Sequence, residues 1–432
     1  MSRRFLLVVV LLAVVPLFAG CPKPKPAADE VSLLLGVPEN QMAIWQAAVD
    51  AFTAASKTRV GIVNVSPDAY PAKLQEMVAS GTPPDLVAVP STVFPQLVTA
   101  GQLTDLRPLL QTQQDIRLSG FIPAAIQAFQ YQGGTYGLPY DVSVVALAYN
   151  QDLFELQGIT EPTKAWTWQQ YLDNAKKLTR DANDDGAIDT WGTTALPFWQ
   201  VMVWQSGGDV VDDVTSPQRS TLSTSPAQEG LQALADLWLK EKVAPGPAAS
   251  GSAARTALFG QGKAAMAYIT REDMPVLNHV VDLRWGTLPL PQGKVAANLA
   301  LSSGLCIPKS AAHQQGAWKL LAYLAGVEGQ KQLLNGSFIT PPLEELAESE
   351  YFPSGGLSGS NPFLTGLKVA HPLPFTPRYK EIAAVWEEEL PALWTGKQTV
   401  QQVTARIDER VTKILTQSAP ATAWLLPLVP KG

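Results

Sequence analysis

Thr135-Tyr-Gly-Leu-Pro-Tyr-Asp-Val-Ser-Val-Val-Ala-Leu-Ala-Tyr-Asn150 joins two unlike kinds of sequence. Tyr136, Gly137, Pro139, Tyr140 and Asp141 are aromatic, turn-permitting or acidic, whereas 144–149 is a short apolar run that predicts a strand buried on both faces. Ring faces and a carboxylate at the mouth of a buried strand imply a cleft. Upstream, 31–35, 60–65 and 86–89 predict three more strands, and Met42, Trp45, Ala48, Val49 and Phe52 recur at helical spacing between the first two. A helix carrying Val93 and Leu97 stops at Gly101, a suitable residue just past a helix end. This alternation predicts an α/β fold with a mostly parallel sheet covered on both faces, where ligands sit beyond the carboxyl ends of the strands. Glu39 and Asn40, and Ser91 and Thr92, then share one rim.

Downstream, Thr167-Trp-Gln-Gln170 has the form of a capping box, and Thr399-Val-Gln-Gln402 opens a helix striped by Val400, Val403, Ile407, Val411 and Ile414. Further strands are expected at 264–269 and 299–307, and the Gly-, Ser- and Pro-rich stretch 354–377 reads as a long surface loop. A chain of 432 residues exceeds the size at which one core stops growing, so two domains are expected. Charged residues are 16%, the net charge is −6 and no Lys or Arg run occurs, which argues against a nucleic-acid surface.

Arg3 and Arg4 precede an apolar run over 5–18 that ends at Ala19-Gly20-Cys21, the form of a signal peptide over 1–20. The run is shorter than the roughly 20 residues of a spanning helix. Leu17-Phe-Ala-Gly-Cys21 resembles the lipobox of bacterial lipoproteins, which implies that Cys21 carries the lipid and that the Pro-rich 21–29 is a tether. Cys306, between Leu305 and Ile307, then has no partner within the chain and reads as a small buried apolar residue. No role follows for the apolar tail 419–432.

Little points to catalysis. His279, His313 and His371 are scattered, and neither a zinc-protease, a nucleophile-elbow nor a P-loop motif occurs. Gly260-Gln-Gly-Lys-Ala-Ala265 fits a dinucleotide fingerprint but follows a helix-like run where a strand is required. A glycosidase needs only two carboxylates, for which Asp141, Glu39 and Asp209 are candidates. Asp181, Asn183, Asp185, Ala187 and Asp189 sit at calcium-loop positions around Gly186, but Gly192 stands where a bidentate Glu belongs, so the stretch reads equally as a structural calcium site or a metal-free Asp/Asn turn. No other cofactor is expected. Of the 12 tryptophans, Trp45, Trp168, Trp238 and Trp318 lie on or beside helical stripes and read as core. Trp199 and Trp204, in a broken stretch before Ser206-Gly-Gly-Asp209, point to a sugar-binding face ahead of a core role.

In this order the segments resemble the extracellular solute-binding proteins of bacterial ABC importers, the family that includes maltose-binding protein. The resemblance rests on Pro84-Asp85, Ala100-Gly-Gln-Leu-Thr-Asp105, Tyr136-Gly-Leu-Pro139 with Tyr149-Asn150, Thr167-Trp168, Gly207-Gly208, Phe259-Gly-Gln-Gly-Lys-Ala-Ala-Met266, 304–309 and Thr395-Gly-Lys-Gln-Thr-Val400. It implies a two-lobed type II periplasmic-binding-protein fold, each lobe a mostly parallel sheet flanked by helices. The lobes would be 30–142 with 298–344, and 143–297 with 345–418. It also implies a monomer that holds a carbohydrate between the lobes and docks on an ABC permease, exported and lipid-anchored at the cell envelope, with no chemical step. Carried over by position, cleft positions fall on Glu39, Val89, Ser91, Thr92, Tyr140, Asp141, Ser143, Trp199, Arg271, Glu272, Ser302, Ser303, Arg378 and Tyr379. Where maltose-binding protein has a tryptophan after the Ala-Met segment this chain has Glu272, and Val89, Thr92 and Val93 replace its charged and aromatic residues, which turns the expectation from maltose toward another sugar or polyol. A phosphorylated sugar would use Arg271 or Arg378 as its anion partner. The other readings are a secreted carbohydrate-active hydrolase and a structural lipoprotein without a small ligand.

Overall fold

The computed structural model describes residues 30–79, 83–112, 116–162, 166–336, 338–349 and 361–417. The expected signal peptide, Cys21 and tether, and the tail from 418, lie outside the described residues. No helix among the described residues is long and apolar enough to cross a membrane.

In the first lobe, β1 (Glu30–Leu35) pairs in parallel with β2 (Arg59–Asn64) on one side and with β3 (Leu86–Pro90) on the other. Alternate residues of β1 enter different cores. Leu33 and Leu35 pack with Trp45, Val49 and Phe52 of the helix Met42–Ser56, and Leu34 packs with Leu74, Phe94 and Cys306 on the other face. Burial on both faces is why these strands read as unbroken apolar runs. Cys306 is free and fully buried, and Gly101 takes a φ of +66° just beyond the helix Phe94–Thr99, as expected of both.

A hairpin of β4 (Gln130–Tyr131) and β5 (Gly134–Thr135) leads into the opening stretch, which divides into two strands. β6 (Leu138–Ser143) belongs to the first lobe, and β7 (Ala146–Asn150) is the central strand of the second. β7 pairs antiparallel with both β8 (Met266–Ile269) and β9 (Trp285–Leu288). The expectation of a mostly parallel sheet thus holds for β1 to β3 but not for the second lobe. There β8 and β9 run parallel only to each other, on either side of β7, with the helix Met274–Asn278 between them in sequence.

The chain returns along β10 (Asn298–Cys306), which pairs antiparallel with β3 and β6, and its first three residues pair in parallel with β11 (Ala370–Pro372). β11 and the helix Pro362–Leu367 lie inside the stretch expected to be loop. Asn361 caps that helix by accepting from the amides of Phe363 and Leu364, and Pro362 suits its first turn, so a composition that looks loop-like encodes a helix start. Leu343 bridges to Phe121 of the first lobe, and β11 lies beside the first residues of β10.

The crossing is clamped by Asn298. Its side chain accepts from the Val145 amide at 3.0 Å and donates to the Val145 carbonyl at 2.7 Å, between the last residue of β6 and the first of β7. The core is continuous here: Val142, Val144, Ala146 and Ala148 share one cluster, while Val145, Leu147 and Tyr149 enter the other.

Both capping boxes, at Thr167/Gln170 and Thr399/Gln402, are formed. In the second lobe the helices Gln200–Gln205 and Ser225–Leu239 touch at Gly230, where an added Cβ would lie 2.3 Å from the Met202 carbonyl oxygen. Gly230→Ala should therefore push the helices apart and cost about 1–3 kcal/mol, read as a lower denaturant midpoint. An unchanged midpoint would contradict this packing.

Candidate functional site

A cavity of about 700 Å³ opens between the lobes. The first lobe contributes Pro90, Ser91 and Thr92 after β3, Asp141 and Ser143 from β6, and Leu301, Ser302 and Ser303 from β10. The second contributes Pro197, Phe198, Gln200, Ser250 to Ser252, Arg255, Thr270, Glu272 and Tyr379. Strict alternation along a strand would send Ser302 and Ser303 to opposite faces. The pairing of β10 with β6 shifts register between Ser303 and Gly304, with Tyr140 of β6 as the extra residue, and the successive residues Leu301, Ser302 and Ser303 all line the cavity. Gly304 permits the bulge to pack closely, since a Cβ there would lie 2.6 Å from the Phe129 ring.

Asp141 stands directly opposite Ser303 and accepts from the Thr340 amide at 2.8 Å. Burial pushes its carboxyl up to about 8, and Glu272 on the facing lobe adds to the shift, while the Thr340 and Val142 amides oppose it. Burial likewise raises the Glu272 carboxyl, with Asp273 adding to it. The only cationic side chain among the described residues lining the cavity is Arg255. It is fully committed to the protein: it donates to the Tyr268 carbonyl at 2.8 Å and to the Ser250 carbonyl, and lies 3.7 Å from Asp273. Ser302 Oγ and Gln200 Oε1 are buried at the cavity without a hydrogen-bond partner in the structure.

Of the residues expected from sequence, Ser91, Thr92, Asp141, Ser143, Glu272, Ser302, Ser303 and Tyr379 converge on this cavity. Several do not. Tyr140 is buried edge-on against Trp45 at 5.0 Å and hydrogen-bonds Ser303, so it supports the wall rather than forming it. Arg271 lies beneath the surface, its guanidinium 5.9 Å from the Phe363 ring centre and its Nη1 3.2 Å from Met274 Sδ, and burial lowers it to about 10. Arg378 is a clip between the two last helices: it forks onto Glu381 at 2.8 and 2.5 Å and donates to the Ile414 carbonyl at 2.7 Å. Neither arginine is placed to meet an anionic ligand. Glu39 and Asn40 are exposed in the turn before Met42, outside the cavity lining, and Asp209 is held by Val210 and Trp204. The carboxylates considered for a glycosidase are thereby dispersed.

Trp204 is core. It is 4% exposed, its indole donates to Asp209 at 3.1 Å, and it stacks on His371 at 5.1 Å. Trp199 is half-buried against Trp386 in an aromatic groove that shares Pro197, Phe198, Gln200 and Tyr379 with the cavity. Trp45, Trp238 and Trp318 are buried in the cores and Trp168 packs beside one, as expected. Sequence reasoning missed Gln200, Thr270 and Arg255. The first directly follows Trp199, which the sequence singles out, and Thr270 begins a Thr-x-x-Asp capping box that the pattern could have shown. Arg255 had no local signal.

In the stretch 181–189, Asp181 accepts from the amides of Asp185 and Gly186, Asp185 from Ala187, and Asp189 from Ala182. Among the described residues no group of three or more His, Cys, Asp or Glu is placed to hold a metal ion.

A two-lobed α/β protein with a large polar cavity between its lobes, crossed by clamped strands, has the architecture of a ligand receptor. Residues 36–331 match the profile of the bacterial extracellular solute-binding proteins, and the chain belongs to that family. It is 23% identical over 412 residues to the galactooligosaccharide-binding protein of Bacillus subtilis, covering 91% of this chain and 93% of that one. It is 23% identical over 309 residues to the sn-glycerol-3-phosphate-binding periplasmic protein of Escherichia coli K12, covering 66% and 68%. Its fold matches that of an ABC substrate-binding protein from Listeria monocytogenes in complex with cycloalternan, with a TM-score of 0.77 and 21% identity over 89% of this chain and 98% of that one.

Proposed function

We propose that the protein captures a carbohydrate between its lobes and presents it to the transmembrane subunits of an ABC importer, without a chemical step. The observation that carries this is the cavity of about 700 Å³ whose hydroxyls, amide and carboxyls come from both lobes and are flanked by Phe198 and Tyr379. Such a site offers ring faces to a sugar and polar groups to its hydroxyls. A ligand touching both lobes favours the closed arrangement by its differential affinity, which is what a permease can read. Lipidation at Cys21 belongs to the same proposal: an acyl anchor would hold the receptor beside its permease and raise the effective concentration for docking. The carbohydrate ligands of the relatives and the family assignment support the reading.

A thermal-shift series over neutral and amino oligosaccharides, with the same sugars checked for shortening, is the test. The right ligand should raise the melting midpoint, with about 2.7 kcal/mol of added stability at a hundredfold excess over Kd. A flat response across the series would sink the carbohydrate assignment, and steady release of shorter sugars would favour a hydrolase instead.

A further inference from the structure

The cavity is acidic in an uncompensated way. Asp141 on the first lobe and Glu272 on the second both line it and lie close enough to influence one another, while Arg255 is spent on two carbonyls and Asp273. A ligand with only hydroxyls would leave two carboxyl groups lining one cavity with no uncommitted cation among its lining residues, an arrangement that opposes lobe closure whenever both are ionised. An anionic ligand would be worse placed. Ser302 Oγ and Gln200 Oε1, buried and without a protein partner in the structure, show independently that this wall is built to receive polar groups from a ligand. Gln200 Oε1 can only accept, so it too favours a donor-bearing ligand.

Building on the carbohydrate reading, we propose that the ligand carries a protonated amine, as in an amino sugar, seated between Asp141 and Glu272 so that the cation ties the lobes together. An ammonium brings three donors and a positive charge to two carboxylates and the acceptor of Gln200, and charge-assisted bonds of this kind are roughly twice as strong as neutral ones. Burial, with Glu272 adding to it, raises the proton affinity of Asp141, so an ammonium seated beside it would favour its ionised form and displace its proton.

The experiment is titration calorimetry of the purified protein with glucosamine and galactosamine oligomers, each beside its N-acetylated and its hydroxyl counterpart of equal length. The amino oligomers should bind at least about tenfold more tightly than both counterparts. Their binding near neutral pH should also release a proton from Asp141, seen as heats that change with the ionisation enthalpy of the buffer, whereas neutral sugars should show no such dependence. Asp141→Asn, which keeps an acceptor for the Thr340 amide, and Glu272→Gln should each collapse the amino-to-neutral affinity ratio. Equal or tighter binding of the neutral sugars would overturn the amine and leave the carbohydrate reading standing. A ratio untouched by both substitutions would overturn the seat assigned to the amine, and no binding by any member would bring down the carbohydrate reading and the amine with it.

Discussion

Trp204→Ala should unfold the second lobe more easily by about 3–5 kcal/mol, the usual range for deleting a buried aromatic, and should do so without ligand present. The side chain is 4% exposed, stacks on His371 and donates to Asp209, so its removal leaves a cavity and deprives the Asp209 carboxylate of one donor. Urea unfolding of the substituted and parent proteins measures it. A midpoint unchanged but a weakened sugar affinity would return Trp204 to the ligand face that its sequence neighbourhood suggests.

Asn298→Ala should cost about 3 kcal/mol through a different mechanism. One side chain satisfies both backbone groups of Val145 in a fully buried crossing, and alanine supplies neither the acceptor nor the donor. Each orphaned buried group carries a penalty of about 1–3 kcal/mol. Because Val145 joins β6 of one sheet to β7 of the other, faster hydrogen exchange of the Val145 amide should accompany the lower stability. Exchange at Val145 as slow as in the parent protein would show that the crossing is held by packing alone.

The legible parts of this molecule are those encoded over a few neighbouring residues. The apolar runs of β1, β3 and β7, the two Thr-x-x-Gln caps, Gly101 at a helix end and the buried Cys306 follow from local pattern, because each is decided by hydrogen bonds or burial along one element. Part of the candidate site was legible for the same reason: Ser91 and Thr92 follow the end of β3, where this kind of sheet presents its ligands, whereas Asp141 and Ser143 lie within β6 and were placed by the family resemblance. Three of the misplaced residues share one physical feature, a long side chain held in part by a distant partner. Arg378 reaches the Ile414 carbonyl, Arg271 lies against Phe363 and Tyr140 turns inward onto Trp45, and local pattern does not select these distant partners.

The sequence by itself determined an α/β chain in which the stretch from Thr135 to Asn150 joins a polar half to a buried strand at the mouth of a cleft, and its resemblance to a known family implied two lobes joined there. Only the tertiary structure decided that the stretch breaks at Val144 and Val145 under the grip of Asn298, 153 residues away, and that the second sheet pairs antiparallel. It also decided which carboxyl groups share the cavity: Asp141 and Glu272 line it, and Glu39 and Asp209 do not. Propensity and periodicity act along the chain, whereas the proton affinity and ligand preference of a cleft depend on charges and burial contributed by two lobes at once.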